Sequence, residues 1–374
     1  MHRLIVSTIG TSLLTNQINR GNPDEKDWYP RLRDCANLSF DETPEDVKKI
    51  ITTLEERASV KLKNGDVKQI RLASAELNGI YGIYEENLQA GSQDTHLLIA
   101  TDTAQGIGTA NIVRGFLTTH GIVNVQVPNF DGLSTASTEV FTGGIDALLE
   151  YIDETIPGYK DSGFRVCFNL VGGFKSLQAY LNTIGMFYAD EIIYIFEGPN
   201  SEMITIPRLP IGIDRSTINP LQFALMAVGE IKVSELESVP EAMVLKADDE
   251  ATLSNWGKLI WNSCKLDLLS QDLLPFPRLE YEKSFVKDYQ NCREDKERMK
   301  LQETLAKTAY LLSKNNGNTA SLKDDGGVQY DVYTNKNGIG HFRVTQDLRV
   351  SCVKEGGVLK LRHYGEHDYV NDNP

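Results

Sequence analysis

The stretch Asn169-Leu170-Val171-Gly172-Gly173-Phe174-Lys175-Ser176 sets two glycines and a lysine where an apolar run gives way to a helical pattern. Backbone amides, a helix amino terminus and an ammonium converge there, and together they suit a phosphate. A second turn, Thr8-Ile9-Gly10-Thr11-Ser12, follows the first apolar run, where Gly10 admits an anion to the backbone and Thr11 and Ser12 offer hydroxyls to phosphate or ribose. Alone, it reads equally well as a tight turn with a capped helix. A third, Thr101-Asp102-Thr103-Ala104-Gln105-Gly106, carries groups suited to a base or ribose. The P-loop pattern is missing, and Gly106-x-Gly108-x-x-Asn111 lacks the third glycine of the dinucleotide fingerprint. Three such turns on one rim imply a sizeable anionic ligand.

The last hundred residues carry different chemistry. His341, Arg343 and Thr345 alternate, so a strand would set them on one face, and Arg349 belongs to the next run. The segment Lys360 to Tyr369 then gathers cations, His363, His367 and the Tyr369 phenol. RNA phosphodiester cleavage needs such a set, with cations for the phosphorane charge and polar groups that exchange protons. The bland alternative is a solvated sheet face with a fraying terminus.

The elements that must position these residues follow from periodicity. Leu4 to Ile9, Leu97 to Thr101, Val123 to Val127, Arg165 to Leu170 and Glu191 to Phe196 read as buried strands. Thr43 to Lys63, Gly106 to His120, Gly144 to Ile156 and Phe174 to Ala189 read as amphipathic helices between them, predicting a doubly wound α/β sheet that ends near Pro210. Thr217 to Leu274 reads as helical without strand alternation, and Leu274-Pro275-Phe276-Pro277 breaks it. Beyond lies a small α+β unit: a strand at Arg278 to Tyr281, helices at Phe285 to Asn291 and Arg298 to Lys314, and strands at Val328 to Tyr333, Gly340 to Thr345, Leu348 to Lys354 and Val358 to Tyr364. Asn337-Gly338 and Glu355-Gly356-Gly357 are hairpin signals, and Lys314 to Gly327 reads as a mobile polar loop.

Composition limits the partners. The 374 residues carry a net charge of -14, which argues against nucleic-acid binding by the whole surface. From Pro277 onward 16 Lys and Arg meet 15 Asp and Glu, so the acid excess lies in front, with 22 against 37. Five cysteines stand singly, without zinc or disulfide spacing, and read as buried thiols; no metal is expected. No apolar run reaches the roughly 18 residues of a membrane span, and Leu4 to Ile9 is too short for a secretory signal, so the expected location is cytoplasmic with no membrane partner.

On Ile9-Gly10-Thr11-Ser12, Thr101-Asp102-Thr103 and above all Asn169 to Ser176, residues 1–208 resemble a CARF domain, the CRISPR-associated Rossmann-type sensor of cyclic oligoadenylates. The resemblance implies a homodimer that buries one cyclic oligoadenylate, with cyclic tetra-adenylate the expected ring. Its contacts would be Gly10, Thr11, Ser12, Thr101, Asp102, Thr103, Gly172, Gly173, Phe174 and Lys175. Some domains of this type cleave their ring without metal, and Ser12 and Lys175 match the positions that serve that reaction; binding without cleavage is the equal alternative. Residues 276–374 are similar in element order to the RelE and ParE toxin fold, which implies that Arg343 and Arg349 act as sheet cations and that His363, His367 and Tyr369 form the terminal cluster. RelE itself has lysines on the strand where this chain has His341 and Arg343, so a histidine is expected to serve as base or acid.

The resemblances imply a sensor (1–208), a helical connector (209–275) acting as relay, and a RelE-like ribonuclease (276–374). Such a chain is expected to be a ring-activated, ribosome-dependent endoribonuclease that cuts mRNA in type III CRISPR defence, with no DNA partner and no cofactor besides its activator. One rival makes the tail a non-catalytic or gyrase-inhibiting module, another a degenerate appendage to a ring nuclease, and the bland third is an ordinary dinucleotide enzyme.

Overall fold

The computed structural model describes residues 1–195, 202–334, 336 and 338–374. The expected strand residue Phe196 and the hairpin residue Asn337 lie outside the described residues. Two compact units result, residues 1–211 and 212–374.

The first unit is built on a six-stranded sheet: β1 (Arg3–Thr8), β2 (Thr95–Ile99), β3 (Asn124–Gln126), β4 (Arg165–Asn169), β5 (Glu191–Ile195) and β6 (Met203–Pro207). Their order is β3-β2-β1-β4-β5-β6. The first five strands pair in parallel, as the alternation with helices predicts, and β6 joins β5 antiparallel, an edge strand absent from the sequence reading. Five of the six β1 residues and all of β2 are buried, because helices cover both faces of a parallel sheet. The chain runs outward in both directions from β1 and β4, so their carboxyl ends open a crevice where such sheets take ligands.

The four expected helices form as Glu45–Asn64, Ala104–Thr119, Thr138–Asp161 and Lys175–Tyr188. Of the shorter ones, Ser12–Thr15 follows the Gly10 turn, and Trp28–Asp34, Val67–Ala73 and Ala75–Ile83 were not expected. The last begins because the Ser74 side chain accepts from the Leu77 amide at 3.2 Å.

In the second unit the segment expected to be a helical connector differs from that reading. It holds helices at Pro220–Met226 and Asn255–Leu269, and between them the strands β7 (Ile231–Lys232), β8 (Val244–Ala247) and β9 (Glu250–Leu253) in the order β7-β9-β8. These strands are two to four residues long, too short to leave an alternation in the sequence. Phe223, Trp261 and Cys264 share one core with Phe285, Leu305 and Phe342 from the end of the chain. Burial of that shared apolar surface, rather than a hinge, joins the segment to the remainder of the second unit.

The second sheet of this unit contains β10 (Leu279–Tyr281), β11 (Asp331–Val332), β12 (Ile339–Arg343), β13 (Leu348–Glu355) and β14 (Val358–Glu366), in the order β10-β14-β13-β12-β11. Strands β12 to β14 form the expected antiparallel meander, and β10 adds to β14 in parallel. Helices Lys283–Asn291 and Asp295–Lys314 form as expected. Of Val328 to Tyr333 only β11 is strand, and the expected polar loop contains the short helix Ala320–Asp324. After β14 the last described element is a short helix, His367–Asp372, where the bland alternative has a fraying terminus.

One buried side chain ties this unit together. The Gln302 amide nitrogen donates to the Leu269 carbonyl at 2.8 Å, the Asp272 carbonyl at 3.1 Å and the Tyr289 hydroxyl at 3.0 Å, and its oxygen accepts from the Leu274 amide at 2.9 Å. Removing it would leave several buried polar groups without partners. Gln302→Ala should lower the unfolding free energy of the second unit by about 2–3 kcal/mol, read by urea denaturation.

Candidate functional sites

The sheet order sets the ends of β2, β1 and β4 side by side, so the three polar turns of the first unit share one rim. At its centre two backbones touch. A Cβ on Gly10 would lie 2.8 Å from the Gly173 nitrogen, and Gly173 takes φ +99°, which side chains disfavour. The Thr8 hydroxyl donates to the Gly172 carbonyl, and Gln178 donates to the same carbonyl at 2.8 Å.

Under this rim lies a fully buried carboxyl that sequence reasoning missed. Glu76 Oε1 accepts from the Gly10 amide at 2.6 Å and Oε2 from the Ser74 hydroxyl at 2.7 Å. The expected amide of Gly10 therefore already has an acceptor. Burial pushes the Glu76 pKa above the usual carboxylate range.

The remaining rim groups divide by commitment. Thr101 and Thr103 are buried with their hydroxyls 3.0 Å apart, and Thr103 caps its helix through the Gly106 amide at 3.1 Å. Asp102 accepts from the Gly132 amide at 3.2 Å. Thr11 makes no side-chain cap, and the Ser12 hydroxyl is buried with no hydrogen-bond partner among the described residues. Phe174 occupies the cap position before the helix Lys175–Tyr188 without a side-chain bond, and Lys175 is exposed. Ser12, Lys175 and the first amides of that helix are the groups this rim offers to an anion.

The second site lies on one face of the rear sheet. Register sets His341 opposite Ser351 and Ser351 opposite His363; in the next row Arg343 faces Arg349, which faces Gly365. The alternate residues Phe342, Val350 and Tyr364 go to the core. A bulge makes this possible: Cys352 pairs with Leu361 while Ser351 pairs with His363, leaving Arg362 as the extra residue. Strict alternation would have put His363 on the face of Leu361.

Two guanidiniums directly across a strand pair repel, and no salt bridge to either is present among the described residues. Arg349 is 9% exposed, with Nη1 donating to the carbonyls of Thr345, Gln346 and Leu348 at 2.8 to 3.1 Å. Burial, then Arg343, lowers its pKa. Arg343 Nε is buried without a hydrogen-bond partner among the described residues. Both arginines line a cleft of about 340 Å³ with Lys323, His341, His367 and a single carboxylate, Asp331. His341 stacks on Tyr333, ring centres 4.3 Å apart, and burial holds its pKa below the ordinary histidine value.

The structure thus brings His341, Arg343, Arg349 and His367 to one cleft. His363 and Tyr369 are not among its lining residues; they meet around Asp288, which the sequence reading did not single out. Tyr369 folds back over Gly365, where a Cβ would lie 2.8 Å from its ring. His367 lies within 3.2 Å of the Asn371 amide, and Asn371 accepts from the Tyr333 hydroxyl at 2.6 Å. A second cavity, about 1000 Å³, adjoins through His367 and is lined by Asp288, Glu297, Asp347, Glu366 and Asp368.

Residues 71–209 match the family described as CRISPR-associated protein (Cas_APE2256). The match indicates a CRISPR-associated protein. It takes in Glu76, the Asp102 turn and the Gly172-Gly173 turn of the rim, and ends before the second unit. Among the described residues no helix is long and apolar enough to cross a membrane, and no cluster of side chains has the make-up of a metal site.

The buried acid of the rim has a pH signature. Its folded pKa is raised, so the folded state holds the proton more tightly, and stability falls as pH rises from the unfolded value of about 4.3 through the folded one. Glu76→Gln keeps an acceptor for Gly10 and removes the titration. The variant should lose less stability than wild type as pH rises from about 4 to about 8, read as the difference in Tm across that range.

Proposed function

We propose that this chain is a cyclic oligoadenylate-activated, ribosome-dependent endoribonuclease that cuts mRNA and stops translation in type III CRISPR defence, acting as a homodimer. The single observation that carries the catalytic half is the Arg343 and Arg349 pair, set face to face without a carboxylate between them in a cleft that also holds His341. An arrangement that repels itself when empty is relieved by a dianion, and a phosphodiester passing to a phosphorane gains that charge during reaction. His341, kept neutral by burial, accepts the proton of the ribose 2′-hydroxyl as its oxygen attacks the neighbouring phosphorus. The 5′ oxygen leaves with a proton from the histidine cluster, giving a 2′,3′-cyclic phosphate and a 5′-hydroxyl.

The sensing half is supported by the CRISPR-associated match and by the rim. Ser12, Lys175 and the helix amides offer donors to a ring of phosphates. The acid-lined cavity beside the arginine cleft makes free RNA a poor substrate, in keeping with a message delivered and oriented by the ribosome. The rival, a non-catalytic module, draws on one feature, the use of Arg349 Nη1 to hold the β12–β13 turn.

Cyclic tri-, tetra- and hexa-adenylate added with the protein to a translating extract should separate the two. One ring, cyclic tetra-adenylate by expectation, should cause transcript cutting, and His341→Ala should slow it about 100-fold. Translation arrest with intact transcripts would favour the non-catalytic module. Because the His341 pKa is lowered, cutting should persist on acidification past pH about 6.5 and fail only below it.

A further inference from the structure

Asp288 sits on the helix Lys283–Asn291, next to the buried Tyr289 and one turn from the buried Phe285. Its side chain is largely buried and faces the sheet. Oδ2 accepts from His363 Nδ1 at 3.0 Å and from the Tyr364 backbone amide at 3.1 Å. Oδ1 accepts from the Tyr369 hydroxyl at 3.2 Å, and that hydroxyl lies 3.3 Å from His363 Nδ1. A carboxylate only accepts, so Nδ1 carries a hydrogen and Nε2 is the atom through which His363 exchanges a proton.

We infer that Asp288 is a positioning residue for RNA cleavage, holding His363 and Tyr369 as one unit on the open face of the sheet. The inference rests on the ribonuclease reading of that face. His341 and His363 occupy one cross-strand row with Ser351 between them, so they stand roughly 10 Å apart, two strand spacings. The arginine pair lies in the adjoining row. A phosphodiester seated over Ser351, beside the arginine row, has a histidine toward each side, as in-line displacement requires of its base and its acid. His341 takes the 2′-hydroxyl proton. His363 enters with both nitrogens protonated; its Nε2–H bond breaks as the O5′–H bond forms, and Nδ1–H stays on Asp288. Solvent then restores the Nε2 proton.

The Tyr364 amide requires an oxygen at its corner of residue 288, so Asp288→Asn keeps the acceptor for His363 and turns its NH2 toward Tyr369, removing only the charge and one hydroxyl acceptor. Asp288→Ala removes both anchors. With the full-length protein and cyclic tetra-adenylate in a translating extract, Asp288→Asn should lower turnover about 10-fold and Asp288→Ala about 1000-fold, with half-saturating transcript concentration unchanged. Circular dichroism checks that the variants fold. In 15N-histidine spectra at high pH, His363 should show the Nδ1–H tautomer in wild type and Asp288→Asn, and lose that preference in Asp288→Ala. Turnover within twofold of wild type in both variants would overturn the inference. If wild type itself leaves transcripts whole, the ribonuclease reading falls, and the spectra decide the rest: a His363 tautomer indifferent to Asp288→Ala overturns the positioning role, and a dependent one upholds the anchoring.

Discussion

Two neighbouring strand ends meet with no side chain between them, and the first unit is arranged around that contact. Gly10 on Gly173 is backbone against backbone, and any Cβ on Gly10 would push the ends of β1 and β4 apart. Glu76 holds the contact from below by taking the Gly10 amide. An internal carboxyl thus takes the Gly10 amide, which is no longer free to donate outward. The polar groups of the rim without an internal partner among the described residues are the Ser12 hydroxyl and the start of the helix behind Phe174, beside the exposed Lys175.

The second unit depends on an opposite arrangement, a charge repulsion that no salt bridge offsets among the described residues. Arg343 and Arg349 face each other across β12 and β13, fixed by a register that the core residues Phe342 and Val350 impose. Slipping either strand by one residue would turn its arginine from that face toward the core, so hydrophobic packing enforces the repulsion. A one-residue bulge at Arg362 brings His363 onto the same face, and Gly365 leaves room for Tyr369 to fold back over it. Strand geometry rather than loop chemistry assembles the cluster.

Sequence and structure agree where the signal is local. The turns at Gly10, Asp102 and Gly172-Gly173 are punctuation at strand ends, and the alternation of His341, Phe342 and Arg343 sorts itself into face and core. Glu76 left no such mark, because only the rim folded over it shows why a carboxyl is needed there. Asp288 left a faint one: it follows Phe285 by three residues and precedes Tyr289, on the inward side of an amphipathic helix where a carboxylate is out of place. The bulge was illegible, since alternation read from Leu359 and Leu361 points His363 into the core. The strands β7 to β9 were too short to show a period, so a segment packed into the rear core read as a helical connector.

On the proposed function, a ring held by the leading unit licenses strand breakage by the trailing one. The most direct measurement tracks both in the same samples: labelled cyclic tetra-adenylate is titrated into the full-length protein in a translating extract, and bound ring and newly cut transcript ends are counted together. The account predicts that cut ends rise in step with occupancy and stay at background without the ring. Full occupancy with intact transcripts, or cutting that ignores the ring, would contradict it.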